Sequence, residues 1–162
     1  DIECNNVEVA NADYLFMHCN NIKLDDWRQQ GNYSFQYCSN VEIHNAVIDS
    51  KDAFWNTDNV TVFDSTLTGE YLGWHSNNLR LVRCKISGTQ PLCYARNLIL
   101  EDCTFEADCD LAFEESTLDA TVNSVITSVK NPSSGIIRAK GYGEIIIDAN
   151  IKAPADCKIE TL

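Results

Sequence analysis

Apolar and polar residues alternate in short bursts along this chain, and the bursts recur at a fixed interval. "SNVEIH", "DNVTVF", "NNLRLV" and "RNLILE" set Val41 and Ile43, Val60 and Val62, Leu79 and Leu81, and Leu98 and Leu100 behind Asn40, Asn59, Asn78 and Asn97, nineteen residues apart. Period-two alternation with β-branched residues predicts short strands that each bury one face. A second run follows in "NAVI", "DSTL", "RCKI" and "DCTF", with Ile48, Leu67, Ile86 and Phe105 in one column and the small Ala46, Ser65, Cys84 and Cys103 in another. Turn chemistry comes next, at Gly31, Ser50, Gly69, Gly88 and Ala107. A third run carries Phe35, Phe54, Gly73, Leu92 and Leu111 in register. "NNIKLD", with Asn21, lies one period before Asn40, and "NNVEVA", with Asn6 fifteen residues earlier, reads as the same unit with a shortened turn.

A repeat of this size is the signature of a solenoid, in which each unit leaves an apolar face for its neighbours to cover. The pattern predicts an all-β parallel β-helix of about 19 residues per rung, with three short strands per rung and rungs about 4.8 Å apart. Asparagine at a turn between strands tolerates left-handed backbone, and its amide can bond the amide above, so the recurring Asn predicts an asparagine ladder. The repeat occupies residues 1–115. From about residue 116 it loosens, and 116–162 reads as irregular last rungs and a C-terminal cap of the same domain.

Register makes neighbours of residues nineteen apart. Cys4, Cys19 and Cys38 fall in one column with Thr57, Ser76 and Ala95, and Cys84 and Cys103 in another with Ala46 and Ser65. Such columns select small, nearly buried side chains. Stacked parallel side chains have poor geometry for a disulfide, so reduced thiols and a reducing compartment are expected. His18 and His75 share a column three rungs apart, roughly 14 Å, too far to share a metal. No metal or other cofactor is expected.

Two groups carry candidate chemistry. Asp52 and Glu70 stand one position apart on consecutive rungs, about 5 to 7 Å from each other by the rung spacing, with Lys51 beside them. Such a pair fits the acid and base of a polysaccharide hydrolase or lyase, or else is a solvated polar turn. Trp55 and Trp74 align in the column of Gln36, Cys93 and Ala112, which alternation turns outward if the column of Phe35 and Phe54 faces in. Tyr37, Asn56, His75, Tyr94 and Phe113 form the next column, and Tyr71 lies three residues before Trp74. An outward aromatic strip with polar borders suits the C–H faces and hydroxyls of a saccharide. The competing reading is a non-enzymatic scaffold that uses the strip against another protein or a second copy of the chain. At Gly73 the inward side chain is missing, and Trp74 or Leu72 is expected to fill the space.

Composition narrows the partners. Twelve Lys and Arg against 24 Asp and Glu give a net charge of −12, which repels phosphate backbones and anionic membranes, so no nucleic-acid or membrane partner is expected. No apolar run is long enough for a spanning helix, and no basic start followed by an apolar stretch marks a leader. The chain begins at Asp1 rather than Met, which leaves a processed or truncated start open.

Longer stretches then bring in a resemblance. "KDAFWNTDNVTVFDSTLTGEYLGW", "GTQPLCYARNLILEDC", "DLAFEESTLDATV", "SVKNPSSGIIRA" and "GEIIID" closely resemble a family of bacterial proteins known only as a domain of unknown function, from about Gly31 to the end. The resemblance implies a right-handed helix of the pectin-lyase-like kind and a bacterial, cytoplasmic protein. It also implies members with further rungs at the amino end, so that Asp1 falls mid-solenoid. It implies no reaction and no catalytic residues. Pectate lyases and polygalacturonases share the superfold, but the outward positions of the first strand here are Glu42, Thr61, Arg80 and Ile99, which form no carboxylate cluster.

Overall fold

The computed structural model describes residues 1–150 and 156–162. Its strands are β1 (Ile2–Val9), β2 (Asn20–Gln30), β3 (Ser39–His44), β4 (Val47–Asp49), β5 (Asp58–Phe63), β6 (Thr66–Thr68), β7 (Asn77–Val82), β8 (Lys85–Ser87), β9 (Leu98–Phe105), β10 (Thr117–Lys130), β11 (Ser134–Ile146) and β12 (Asp156–Thr161). Every pairing is parallel, and like residues of successive coils pair, as in Val41 with Val60 and Val60 with Leu79. The coils stack in the order β1, β2, β3, β5, β7, β9, β10, β11, β12. A second wall is made by the end of β2 with β4, β6, β8 and the end of β9. The molecule is a β-solenoid of roughly eight turns.

Alternation decides what lies inside. Ile43, Val60, Val62, Leu79 and Leu81 line the first wall with no exposed surface, and Ile48, Leu67 and Ile86 line the second. Burying such a side chain is worth about 1.5 to 3 kcal/mol. Between the walls the chain turns through one residue of positive φ, at Asn45, Asp64, Arg83 and Asp102. Arg83 at that corner reaches back one coil to Asp64, Nε to Oδ1 2.6 Å, and holds the Asp64 carboxyl below its ordinary range.

The third run departs from the strand expected of it. In each coil every second residue there takes a positive φ: Tyr33, Phe35 and Tyr37; then Asp52, Phe54 and Asn56; then Tyr71, Gly73 and His75. Left-handed backbone costs an L-residue about 1 to 2 kcal/mol. The stack offsets it, because the left-handed N–H groups point along the axis: Tyr33 donates to Lys51 O at 2.8 Å and Tyr37 to Trp55 O at 2.9 Å in the next coil. Phe35 donates to Leu15 O at 2.9 Å in the previous one. The inward residues still stack, with Phe35 and Phe54 5.0 Å apart at 19°. Where Gly73 leaves that column empty, the space is filled by Leu92 Cδ2 and Leu79 Cδ2, 2.8 and 2.9 Å from where a Cβ would sit, and not by Trp74 or Leu72.

Three further registers differ from the nineteen-residue reading. Ile2 pairs with Ile22 and Val7 with Trp27, so the first coil spans twenty residues, and Asn6 falls beside Asp26 at a corner rather than below Asn21. Asp1 takes that place, accepting a 2.7 Å bond from Asn21 Nδ2. Cys4 consequently pairs with Leu24 on the first wall and leaves the column of Cys19 and Cys38. Around 106–110 the chain gains two residues, so Phe113 rather than Leu111 follows Leu92, its N–H donating to Pro91 O. The asparagine ladder is present but exposed, with Asn59 Nδ2 2.7 Å from Asn40 Oδ1 and Asn40 Nδ2 3.3 Å from Asn21 Oδ1. Residues 116–162 continue the stack. There β10 and β11 pair seventeen residues apart, Thr117 with Ser134, and β12 ends the sheet; residues 151–155 of that segment lie outside the described ones.

Candidate functional site

The residues singled out from the sequence lie on the third flank and the turn that leads into it. Left-handed residues alternate with the rest, so neighbouring positions diverge: Ala53 and Phe54 go to the core, Trp55 is half-buried and Asn56 exposed. One coil on, Leu72 and Gly73 are buried, Trp74 is half-buried and His75 exposed.

Trp74 is the packed centre of the aromatic group. Its ring centre lies 4.9 Å from Tyr71, 5.1 Å from Tyr94, 5.8 Å from Trp55 and 6.3 Å from His75. The two tryptophans are inclined at 34° rather than lying flat at the rung spacing. Trp74 Nε1 donates to Gln90 O at 2.7 Å, so this indole is fixed at both its face and its polar edge. Trp55 is held less: it touches Trp74 and, at 5.4 Å, His75. Its Nε1 makes no hydrogen bond among the described residues. His75 stacks on Tyr94 at 5.0 Å and 14°. Burial and the Glu114 carboxylate push the Tyr94 phenol up to about 12, so it stays protonated.

The two-residue gain at 106–110 changes who flanks this group. Ala112 and Phe113, aligned with the Trp74 and His75 columns by a strict period, are replaced there by Glu114 and Glu115: Tyr94 N–H donates to Glu114 O. Glu114 is tied to Lys130 Nζ at 2.8 Å. Sequence alone gave no sign of that shift beyond the extra residues in "EADCD".

The acidic pair adjoins the aromatic group through Tyr71. Asp52 precedes Tyr71 in the same column, and its N–H donates to Glu70 O at 2.8 Å. Lys51 Nζ lies 3.7 Å from Glu70 Oε2 and 5.4 Å from the Tyr71 ring centre. Asp52 is only 6% exposed, and its carboxylate accepts no hydrogen bond among the described residues. Burial raises its pKa, opposed by Lys51 and aided by Glu70. A raised carboxyl beside a second carboxylate is the arrangement from which acid and base roles arise.

Cysteines supply no competing site. Cys38, Cys84, Cys93, Cys103 and Cys109 are buried free thiols. Burial pushes Cys93 and Cys109 up to about 12, and the adjoining Cys84 thiol together with burial pushes Cys103 up as well. Among the described residues no group of three or more His, Cys, Asp and Glu side chains could hold a metal ion. At the amino-terminal end a shallow polar depression of about 340 Å³ lies between Asn11, Asp13, Gln30, Gly31, Asn32 and Asp49, apart from the aromatic group.

Compared with known proteins, the chain matches no curated protein and no solved structure. A family model described as "Protein of unknown function (DUF3737)" matches residues 1–160, and the chain belongs to that family.

Proposed function

We propose that the protein binds a saccharide on the third flank, with Trp55 as the accessible ring and Tyr71, His75, Tyr94 and Asn56 around it. One observation carries the reading: Tyr71 links the turn at Lys51 and Glu70 to the indoles, so apolar faces and hydrogen-bonding groups share one surface, with the raised Asp52 carboxyl buried beneath it. That combination suits a ligand with C–H faces and hydroxyls. If the saccharide is also processed, Asp52 is the proton donor and Glu70 its partner, in a hydrolase or lyase reaction. The columns of buried thiols support a reducing, cytoplasmic setting.

Glycan-array binding tests this reading. Wild type is expected to retain a defined set of saccharides, and Trp55→Ala to lose them by tenfold or more; retention by neither protein contradicts the proposal. A scaffold role has its own supporting observation, the ring-on-ring packing and Nε1 bond that make Trp74 a structural centre. It requires a change of oligomeric state when Trp55 is removed, read by analytical ultracentrifugation.

A further inference from the structure

The outer aromatic column has one place missing. In successive coils it runs His18, Tyr37, Asn56, His75 and Tyr94, each at positive φ. His18 and Tyr37 stack 4.7 Å apart at 7°, and His75 and Tyr94 stack 5.0 Å apart at 14°. Each pair occupies one face of Tyr37 and one face of His75, so their other faces turn toward the coil that carries Asn56. At about 4.8 Å per coil, the Tyr37 and His75 rings stand about 9.6 Å apart, enough for one ring between them. Trp55 leans across the His75 side, 5.4 Å away at 49°. Among the described residues no second ring covers the Tyr37 side, and Tyr37 is 46% exposed.

We propose, resting on the saccharide reading above, that the gap at Asn56 is a ring subsite that takes one neutral sugar ring in place of the missing aromatic. A sugar C–H face packs on the open face of Tyr37. The Asn56 amide, which can donate and accept, meets the hydroxyls at the ring's edge, and Trp55 Nε1 closes the site as a second donor. Charge decides against uronates. Lys51 and Lys130 offset Glu70 and Glu114, but Asp52 in the same coil, Glu115 farther along and the overall charge of −12 leave the surroundings acidic, so an anionic ring is repelled.

The column itself supplies the test. Tyr37 and Tyr94 both sit at φ 58°, so Asn56→Tyr, at a native φ of 52°, restores a ring that this backbone already accepts. Asn56→His is a second filling variant, since His18 and His75 occupy the same column. Calorimetric titrations use neutral hexasaccharides of β-1,4-linked glucose, β-1,4-linked mannose and α-1,4-linked glucose, with hexagalacturonate as the anionic comparison. Wild type is expected to bind at least one neutral chain and to discriminate against hexagalacturonate, while both filling variants lose at least tenfold in affinity with an unchanged or higher melting temperature. If the folded filling variants bind as wild type does while Trp55→Ala does not, the gap proposal falls and the saccharide reading stands. Preference for hexagalacturonate overturns the neutral class, and wild type that binds none of the four overturns both.

Discussion

Tyr71 and Trp74 are in ring contact, their centres 4.9 Å apart at 60°, and through this contact the acidic turn and the aromatic flank become one surface. Neither residue is in the inward column, which passes between them at Gly73. The absent side chain at Gly73 is matched by Leu92 and Leu79 closing in behind, which leaves Trp74 on the outer side, where Tyr71, Tyr94 and Trp55 surround it.

The two tryptophans therefore separate by role. Trp74→Ala removes the centre of the ring cluster and the bond to Gln90 O, and is expected to cost about 2 to 4 kcal/mol. That corresponds to a fall in melting temperature of about 5 to 12 °C, measured by calorimetry. Trp55→Ala, at the cluster's edge, is expected to cost less than about 1.5 kcal/mol while abolishing saccharide binding. Equal destabilisation by the two changes would contradict the assignment of centre and edge.

Asp52 makes stability depend on pH in a definite direction. Its pKa is raised above the ordinary 3.8, chiefly by burial, so just above that value the folded state keeps a proton that the unfolded chain has released. Stability then falls as pH rises from 3.8 through the raised folded value and stays lower above it. Asp52→Asn removes this loss. Urea unfolding from pH 3 to 8 is expected to show the variant gaining on wild type as pH rises, then holding a constant lead; a difference independent of pH would contradict the burial of this carboxyl. If Asp52 donates a proton in catalysis, activity falls over the same interval.

Two glycines four residues apart are expected to respond unequally. A Cβ on Gly69, at φ +136°, would stand 2.2 Å from Ser50 O and 2.5 Å from Ser50 C, so the backbone of the coil before must move. Gly69→Ala is expected to cost about 3 kcal/mol or more. A Cβ on Gly73 comes within 3 Å only of the ends of two leucine side chains, at φ +69°, close to the +62° and +61° of Phe54 and Leu92 in the same column. Gly73→Ala is expected to cost about 1 to 2 kcal/mol, less than Gly69→Ala. Denaturation midpoints of the pair decide it, and equal losses would contradict the packing described for Gly73.

Thiol reactivity reports the corrected register. Cys4, Cys19 and Cys157 are half-buried, whereas Cys38, Cys84, Cys93, Cys103 and Cys109 are buried. Burial also pushes the Cys38 thiol up to about 11. At pH 8 an aromatic disulfide reagent is expected to label Cys4 and Cys19 first, Cys157 more slowly because burial pushes its thiol up to about 11, and the buried five only on unfolding, as peptide mapping would show. Rapid native labelling of Cys84 or Cys103 would contradict the stacked column.

The stacking and the two walls were legible because strand alternation and the nineteen-residue interval repeat in the side chains themselves. Asn40, Asn59 and Asn78 take the left-handed turns that asparagine favours, and Val60 pairs with Leu79 as the spacing requires. The third flank was not legible as a strand-free ladder, because Phe35, Tyr37 and Phe54 are residues that rarely take positive φ. Nothing in their types announces it; the hydrogen bonds from coil to coil impose it. Asn6 misled by local likeness, "NNVEVA" to "NNIKLD", although the alternation of Ile2 and Cys4 ahead of it carried the true register with Ile22 and Leu24. The pairing of Trp55 with Trp74 was legible, but their inclination and the packing of Trp74 depend on Tyr71 and Gln90, which belong to different columns.

Tryptophan fluorescence during titration with the neutral hexasaccharides tests the central claim most directly. Trp27 is buried in the core and Trp74 is locked in the cluster, so Trp55 is the indole a ligand reaches. Saturable change of emission in wild type and in Trp74→Phe, lost in Trp55→Phe, is the expected result. Emission that no saccharide alters, with matching silence in calorimetry, would contradict saccharide binding on this flank.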